Sequence, residues 1–201
     1  MENLYLIVGL GNPGADYAFT RHNVGFMAVE RLAKLRQANW THEKKFNARL
    51  SRLKIEDRPS ILSEPQTYMN LSGMAVQAIT DYYKISVDRL LVVVDDADLP
   101  MGEIRMRADG SSGGHHGLES IEQHMGTRGY ARLRIGIGRQ ASGAREITDY
   151  VLGRFGPDEV EFLNAILGRV AGQIESWLTA GIQRAMNEFN GVVKPPVQKE
   201  N

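Results

Sequence analysis

Five consecutive aliphatic residues, Leu90-Leu91-Val92-Val93-Val94, run straight into Asp95-Asp96-Ala97-Asp98. A run that short with no polar member leaves neither face for water. It therefore reads as a strand buried on both sides, the kind found inside parallel sheets. Such a sheet needs helices above and below it. The acids then fall at the strand's carboxyl end, where open α/β sheets gather their ligands.

The rest of the chain supplies what that strand needs. Residues 4–9 read as a second short buried strand closed by glycine. Asn23 is placed to cap a helix reaching about residue 37, with Val24, Ala28, Leu32 and Leu35 on one stripe. Residues 46–63 suggest two strands joined at Glu56-Asp57-Arg58-Pro59, and residues 71–84 a second helix. A strand over 103–107, a glycine-rich loop over 110–114 and a short helix over 118–125 follow. Residues 130–138 alternate, with Ala131, Leu133, Ile135 and Ile137 on one side and Arg132 and Arg134 on the other. Pro157 opens a long helix, and a short one spans 182–189. With no linker or repeat, the expectation is a single α/β domain over residues 1–193, helices flanking the sheet, and a disordered tail over 194–201.

Composition removes several classes of chemistry. Cysteine is absent, which excludes disulfides, thiolate metal sites and a cysteine nucleophile. No apolar run approaches the roughly 20 residues that span a bilayer, and Glu2 with only a short apolar run is no signal peptide. The expected location is the cytoplasm. The formal net charge of zero argues against a protein that coats nucleic acid by bulk charge. Between residues 128 and 154, however, Arg128, Arg132, Arg134, Arg139, Arg145 and Arg154 face only Glu146 and Asp149, which allows a local basic face.

Two motifs mislead. Gly9-Leu10-Gly11-Asn12-Pro13-Gly14 matches the dinucleotide pattern Gly-x-Gly-x-x-Gly, but there the helix must begin inside the motif to meet the pyrophosphate. Here Pro13 and residues 15–21 intervene, and no strand ends with an acid some 20 residues on. Gly110-Ser111-Ser112-Gly113-Gly114 matches the nucleophile elbow Gly-x-Ser-x-Gly. That elbow requires an aspartate and then a histidine downstream, and no aspartate stands between Ser112 and His115, His116 or His124.

What remains is a carboxylate at one strand end and a histidine on the loop beyond another. An Asp–His pair of this kind fixes the imidazole tautomer and lets it act as a general base near neutrality, with water as nucleophile. Asn12 either holds its turn or faces the site. Asn70 either caps the second helix or holds substrate through its amide, and the cap is the simpler reading. Adjacent His115 and His116 point apart, so no shared metal is expected.

Taken together, the segments resemble a known family. Gly9–Gly14, Tyr17 and Thr20-Arg21-His22-Asn23-Val24-Gly25 are similar to the opening signature of bacterial-type peptidyl-tRNA hydrolases. Pro65-Gln66-Thr67-Tyr68-Met69-Asn70-Leu71-Ser72-Gly73, Asp95-Asp96-Ala97-Asp98-Leu99-Pro100 and Gly113-Gly114-His115-His116-Gly117-Leu118 resemble its later blocks. Arg132-Leu133-Arg134-Ile135-Gly136-Ile137-Gly138 and Tyr150-Val151-Leu152-Gly153 complete the set, in order, over about residues 4–190.

The resemblance implies a monomeric, cytoplasmic enzyme with a mixed, twisted central sheet and no metal or organic cofactor. Its substrate is peptidyl-tRNA released from stalled ribosomes, cleaved at the ester to the 3′-terminal ribose. It implies His22 as the base, Asp95 as its orienting partner, and Asn12, Tyr17, Tyr68, Asn70 and His116 as substrate-binding residues. Arg105, Arg107, Arg134 and Arg145 correspond to residues that meet tRNA phosphates. Two positions depart from the pattern: His116 stands where asparagine is usual, and Glu119 where lysine is common. A non-catalytic RNA-binding relative, of the splicing-factor kind, is the alternative; the retained His22, Asp95, Asn12 and Asn70 favour the enzyme.

Overall fold

A computed structural model describes residues 3–138 and 144–195, the side chains of 144–146 excepted. Its centre is one eight-stranded sheet in the order β2-β3-β4-β1-β5-β7-β6-β8. The strands are β1 (Tyr5–Gly9), β2 (Trp40–Glu43), β3 (Ala48–Ile55), β4 (Arg58–Pro65), β5 (Leu90–Asp96), β6 (Glu103–Arg107), β7 (Ala131–Gly136) and β8 (Gly191–Val192). β4, β1, β5 and β7 run parallel, while β2, β3, β6 and β8 pair antiparallel at the two edges. The helices are α1 (Val24–Leu35), α2 (Ser72–Tyr83), α3 (His116–Met125), α4 (Ala144–Leu152), α5 (Pro157–Ala180) and α6 (Ile182–Phe189).

The apolar runs do what their composition requires. Successive residues of β1 and β5 feed opposite cores. Ile7, Leu91 and Val93 join α1 and α5 on one face, and Leu6, Val8, Leu90, Val92 and Val94 join α2 and α3 on the other. Gly9 answers the question of the glycine motif. A Cβ there would run into the Gly25 carbonyl, and one on Gly25 into Val93 and Leu10, so both glycines let α1 lie directly on the strand ends. The motif serves packing.

Several expectations need correction. Leu35 is half exposed, because the buried stripe of α1 uses Phe26, Val29 and Ala33 instead. Arg132 is only 1% exposed: its guanidinium stacks on Tyr130 and donates to the Arg128, Tyr130 and Ser111 carbonyls. The arginines of this region therefore do not form one open basic face. β2, α4 and the two-residue β8 add to the elements expected. Of the expected tail, Lys194 and Pro195 are described and residues 196–201 lie outside the described residues.

Candidate active site

The carboxyl ends of β1 and β5 face a cleft of about 590 Å3. Asp95, next to last in β5, is 3% exposed. His22 comes from the 3-10 turn Arg21–Asn23 that joins the β1 loop to α1. Asn23 fixes that turn, though not as a helix cap. Its side chain makes no cap bond; its Oδ1 accepts from the Asn12 N–H and its Nδ2 donates to the Asn12 carbonyl, both at 2.9 Å. Arg21 ties the same turn outward by a bidentate pair to Glu159 at 3.0 and 2.8 Å, its guanidinium lying over the Tyr150 and Phe155 rings.

Asp95 Oδ1 meets His22 Nδ1 at 2.9 Å and His115 Nε2 at 3.0 Å. Proton positions follow from what each nitrogen touches. His115 is the N-cap of α3, and its Nδ1 accepts from the Gly117 and Leu118 N–H groups. A backbone N–H can only donate, so the His115 proton sits on Nε2 and points at Asp95. The carboxylate can only accept as well, so His22 carries its proton on Nδ1. His22 Nε2 is left without a protein partner among the described residues, as a lone pair at the cleft.

Electrostatics favour this arrangement. Burial alone would lower the His22 pKa, but the Asp95 charge and hydrogen bond outweigh it and raise it above 6.5. Burial would push Asp95 up; the His22 and His115 imidazoles reverse that and hold it below the usual carboxylate range. His22, Asp95 and His115 also present ligand atoms within 4.8 Å of one another, as a metal would need. To coordinate through Nε2, His115 would have to move its proton to Nδ1, against two backbone donors. The trio fits a hydrogen-bonded array better than a cation site.

The other expected residues distribute unevenly. Asn12 Oδ1 accepts from the Met69 N–H at 2.8 Å, so its amide Nδ2 is the group left as a donor at the cleft. Asn70 lies inside the turn Met69–Leu71 and caps nothing, since α2 starts at Ser72 with no side-chain cap bond; it lines the cleft, as does the exposed Tyr68. Tyr17 is half-buried on the neighbouring turn and is not among the lining residues. His116 is at the rim, exposed, with Nδ1 3.1 Å from Glu119 Oε2.

Among the arginines, Arg134 is committed within the fold. It pairs with Asp96 at 3.1 Å and donates to the Ser111 and Ser112 carbonyls at 2.9 Å each, clamping the glycine-rich loop. Arg105 and Arg107 share one face of β6, and Arg105 pairs with Glu103. The Arg145 side chain lies outside the described residues. Sequence reasoning passed over His115 as part of the Asp95 array. The one available signal was a histidine directly preceding a short helix, in cap position.

Three kinds of comparison bear on this site. The family described as "Peptidyl-tRNA hydrolase" matches residues 6–199. A peptidyl-tRNA hydrolase of Gloeobacter violaceus is 46% identical over 93% of this chain and 94% of its own, and one of Chloroflexus aurantiacus is 48% identical over 93% and 99%. The crystal structure of peptidyl-tRNA hydrolase from Acinetobacter baumannii superposes with a TM-score of 0.90 at 36% identity, covering 98% of each chain.

Proposed function

Since the chain belongs to the peptidyl-tRNA hydrolase family, we propose that His22 is the general base with which this enzyme hydrolyses the ester between a peptide and the 3′-terminal ribose of tRNA. The observation that carries this reading is the unpaired His22 Nε2, set at the cleft by the Asp95 bond at Nδ1. Nε2 takes a proton from water as that water attacks the ester carbonyl. Asp95 stabilises the imidazolium that forms. Negative charge developing on the carbonyl oxygen meets the Asn12 Nδ2 donor, with Asn70 beside it. When the tetrahedral intermediate collapses, the C–O bond to ribose breaks and His22 returns its proton to the leaving 3′ oxygen.

An aminoacyl ester is already activated relative to an amide, so one base and a positioned water suffice. Tyr68 and His116 bound the substrate, and Arg105 and Arg107 meet backbone phosphates of the acceptor end. Arg134 acts differently, by holding residues 111–112 at the cleft. The enzyme works as a monomer in the cytoplasm on peptidyl-tRNA dropped from stalled ribosomes. Release of N-acetyl-amino acid from a purified N-acetyl-aminoacyl-tRNA tests the reaction. Folded His22→Ala should lose on the order of 10²–10⁴-fold in rate; a wild-type rate in that variant overturns the mechanism.

A further inference from the structure

Helix α2 is apolar on two sides. Ala75, Val76, Ile79 and Tyr83 are buried in the fold, which is the one face that a packed helix needs. A second strip leaves the fold. Leu71, Met74, Ala78 and Tyr82 follow one another at the spacings of three and four that make neighbours on a helix, and Tyr68 precedes Leu71 by three. Tyr68, Leu71, Met74 and Tyr82 are 43% to 61% exposed, with Ala78 half-buried between them. Single exposed apolar side chains are ordinary, but a contiguous strip marks a surface that meets something. Its far end is also held in place. The Tyr82 ring packs edge-on against Phe46, centroids 5.3 Å apart, and the Lys45 ammonium lies 3.8 Å over it.

The strip starts at the cleft, because Tyr68, Met69 and Asn70 line it. Its charge says what it does not bind. From Ser72 to Tyr83 the helix carries Asp81 and no lysine or arginine, so a nucleic-acid backbone laid along it would have no phosphate neutralised. Arg105 and Arg107 stand on β6, which β1, β5 and β7 separate from β4, the strand that leads into the turn before α2. The cleft at the ends of β1 and β5 thus opens between two unlike surfaces, one bearing arginines and one apolar and without cations.

We propose that the peptide of peptidyl-tRNA leaves the cleft along this outer face of α2, in extended form and with apolar side chains preferred. The peptide is esterified through its C-terminal carboxyl, so its preceding residues must find a way out past the cleft wall. Tyr68 stands at the lip, Leu71 and Met74 come next, and Tyr82 closes the path. The 12 residues of α2 span about 18 Å. An extended peptide advances about 3.3 Å per residue, so the face holds roughly five residues beyond the esterified one. This inference rests on the peptidyl-tRNA reading above, and it adds a surface outside the cleft and the length of chain that it reads.

The test varies the peptide and keeps the tRNA and the esterified residue constant. One tRNA carries N-acetylated peptides of one to eight residues, in a leucine-rich and a serine-rich series. On the leucine-rich series kcat/KM should climb on the order of tenfold, the worth of burying about one apolar side chain, and level off near six residues. The gain should appear in KM and be smaller on the serine-rich series. Leu71→Gln, Met74→Gln and Tyr82→Gln together keep good helix formers on exposed positions. That variant should flatten the climb and leave N-acetyl-aminoacyl-tRNA unchanged, and Met74→Gln alone should flatten it in part. A wild type indifferent to length and side chain sinks the proposal while leaving the reaction intact. Release from no substrate sinks the reading of the reaction and the proposal with it. A climb that the triple variant keeps overturns the assignment of the face, since the peptide then leaves elsewhere. A rise in KM that is equal on every substrate, the shortest included, assigns the face to the tRNA or to the fold and overturns it too. So does a wild type that sediments as a dimer where the triple variant is a monomer, because a second copy then covers the strip.

Discussion

His115 donates from Nε2 to Asp95 at 3.0 Å only because its other nitrogen is occupied by the backbone of α3. The helix start thereby sets a tautomer, and the tautomer sets a second hydrogen bond on the carboxylate oxygen that also holds His22. Both ring nitrogens of His115 are thus engaged within the fold, so it serves as a positioning residue for Asp95, while the free lone pair at the cleft belongs to His22.

Removing it should therefore show in kcat and in pH dependence. His115→Ala leaves Asp95 one donor short, a charge-assisted bond worth about 1.5–3 kcal/mol, and kcat should fall roughly ten- to a hundredfold with KM little changed. The stripped carboxylate holds the His22 imidazolium more tightly, so the acid limb of kcat/KM should move to higher pH. A uniform loss of folded protein, with an unmoved limb, would mean that His115 only caps α3.

For His22 itself the sign is fixed by Asp95. The base must be neutral to work, and its pKa is raised above 6.5 against the opposing effect of burial. Activity should fall as pH drops through a midpoint above 6.5. In Asp95→Asn the raising causes vanish and burial remains, so the midpoint should cross to below 6.5 while the plateau rate drops. Stability runs the opposite way. A raised histidine pKa contributes fully below about 6.5 and is lost as pH rises through the folded value, a decline that His22→Ala should not share. Rate profiles from pH 5 to 8 and denaturant titrations over the same range check both.

How far the chain could be read without coordinates depended on the kind of signal. Residues 90–94 and 4–9 announced a doubly covered sheet because an unbroken aliphatic run has few other uses. The edge strands were harder. Trp40–Glu43 is mostly polar, and Gly191–Val192 is a two-residue strand that pairs with Glu103 and Ile104. The site residues came through resemblance more than through spacing, which only suggested an Asp–His pair. Long-range side-chain commitments stayed invisible. Asn23 turned to Asn12 and away from its helix, Arg134 to Asp96, and His115 to Asp95, in each case because folding brought a partner some 11 to 38 positions away in sequence.

The arginines should separate by role. Arg105 and Arg107 lie on one face of β6, and each phosphate that is no longer neutralised should shallow the salt dependence of tRNA binding by roughly 0.7–0.9 in slope. Arg105→Glu with Arg107→Glu should raise KM for tRNA substrates and spare a minimal nucleotide ester. Arg134→Ala should instead lower kcat on both substrates, because it frees the Ser111 and Ser112 carbonyls and loosens the cleft rim. Equal loss on both substrates in the β6 double variant would show that those arginines support the fold or the chemistry.

At His116 the ring is held from within its own helix. Glu119 Oε2, three residues on, lies 3.1 Å from its Nδ1. His116→Asn should keep activity at neutral pH, because an amide offers both a donor and an acceptor in place of the imidazole. His116→Ala offers neither and should raise KM if the side chain bounds the substrate. Equal kcat/KM for wild type, His116→Asn and His116→Ala would place the side chain outside the chemistry.

Glu64 should leave its mark on stability. Burial, reinforced by the Glu30 charge and opposed by Arg49, pushes its pKa from 4.5 to about 8. A folded value above the unfolded one means that the contribution is complete below about 4.5 and drains away as pH rises through 8. Between those limits the unfolded chain ionises freely and the folded chain does not, at about 1.4 kcal/mol per pH unit, with an upper bound of ~5 kcal/mol. Glu64→Gln keeps a neutral group of the same shape in place, and its oxygen can still accept from Arg49. The variant should match wild type near pH 4.5 and be the more stable protein at pH 8, by as much as a few kcal/mol. Urea titrations at pH 4.5, 6 and 8 measure the difference. A constant gap between the two proteins across that range would mean that Glu64 is ionised in the folded state, held by Arg49 against its burial.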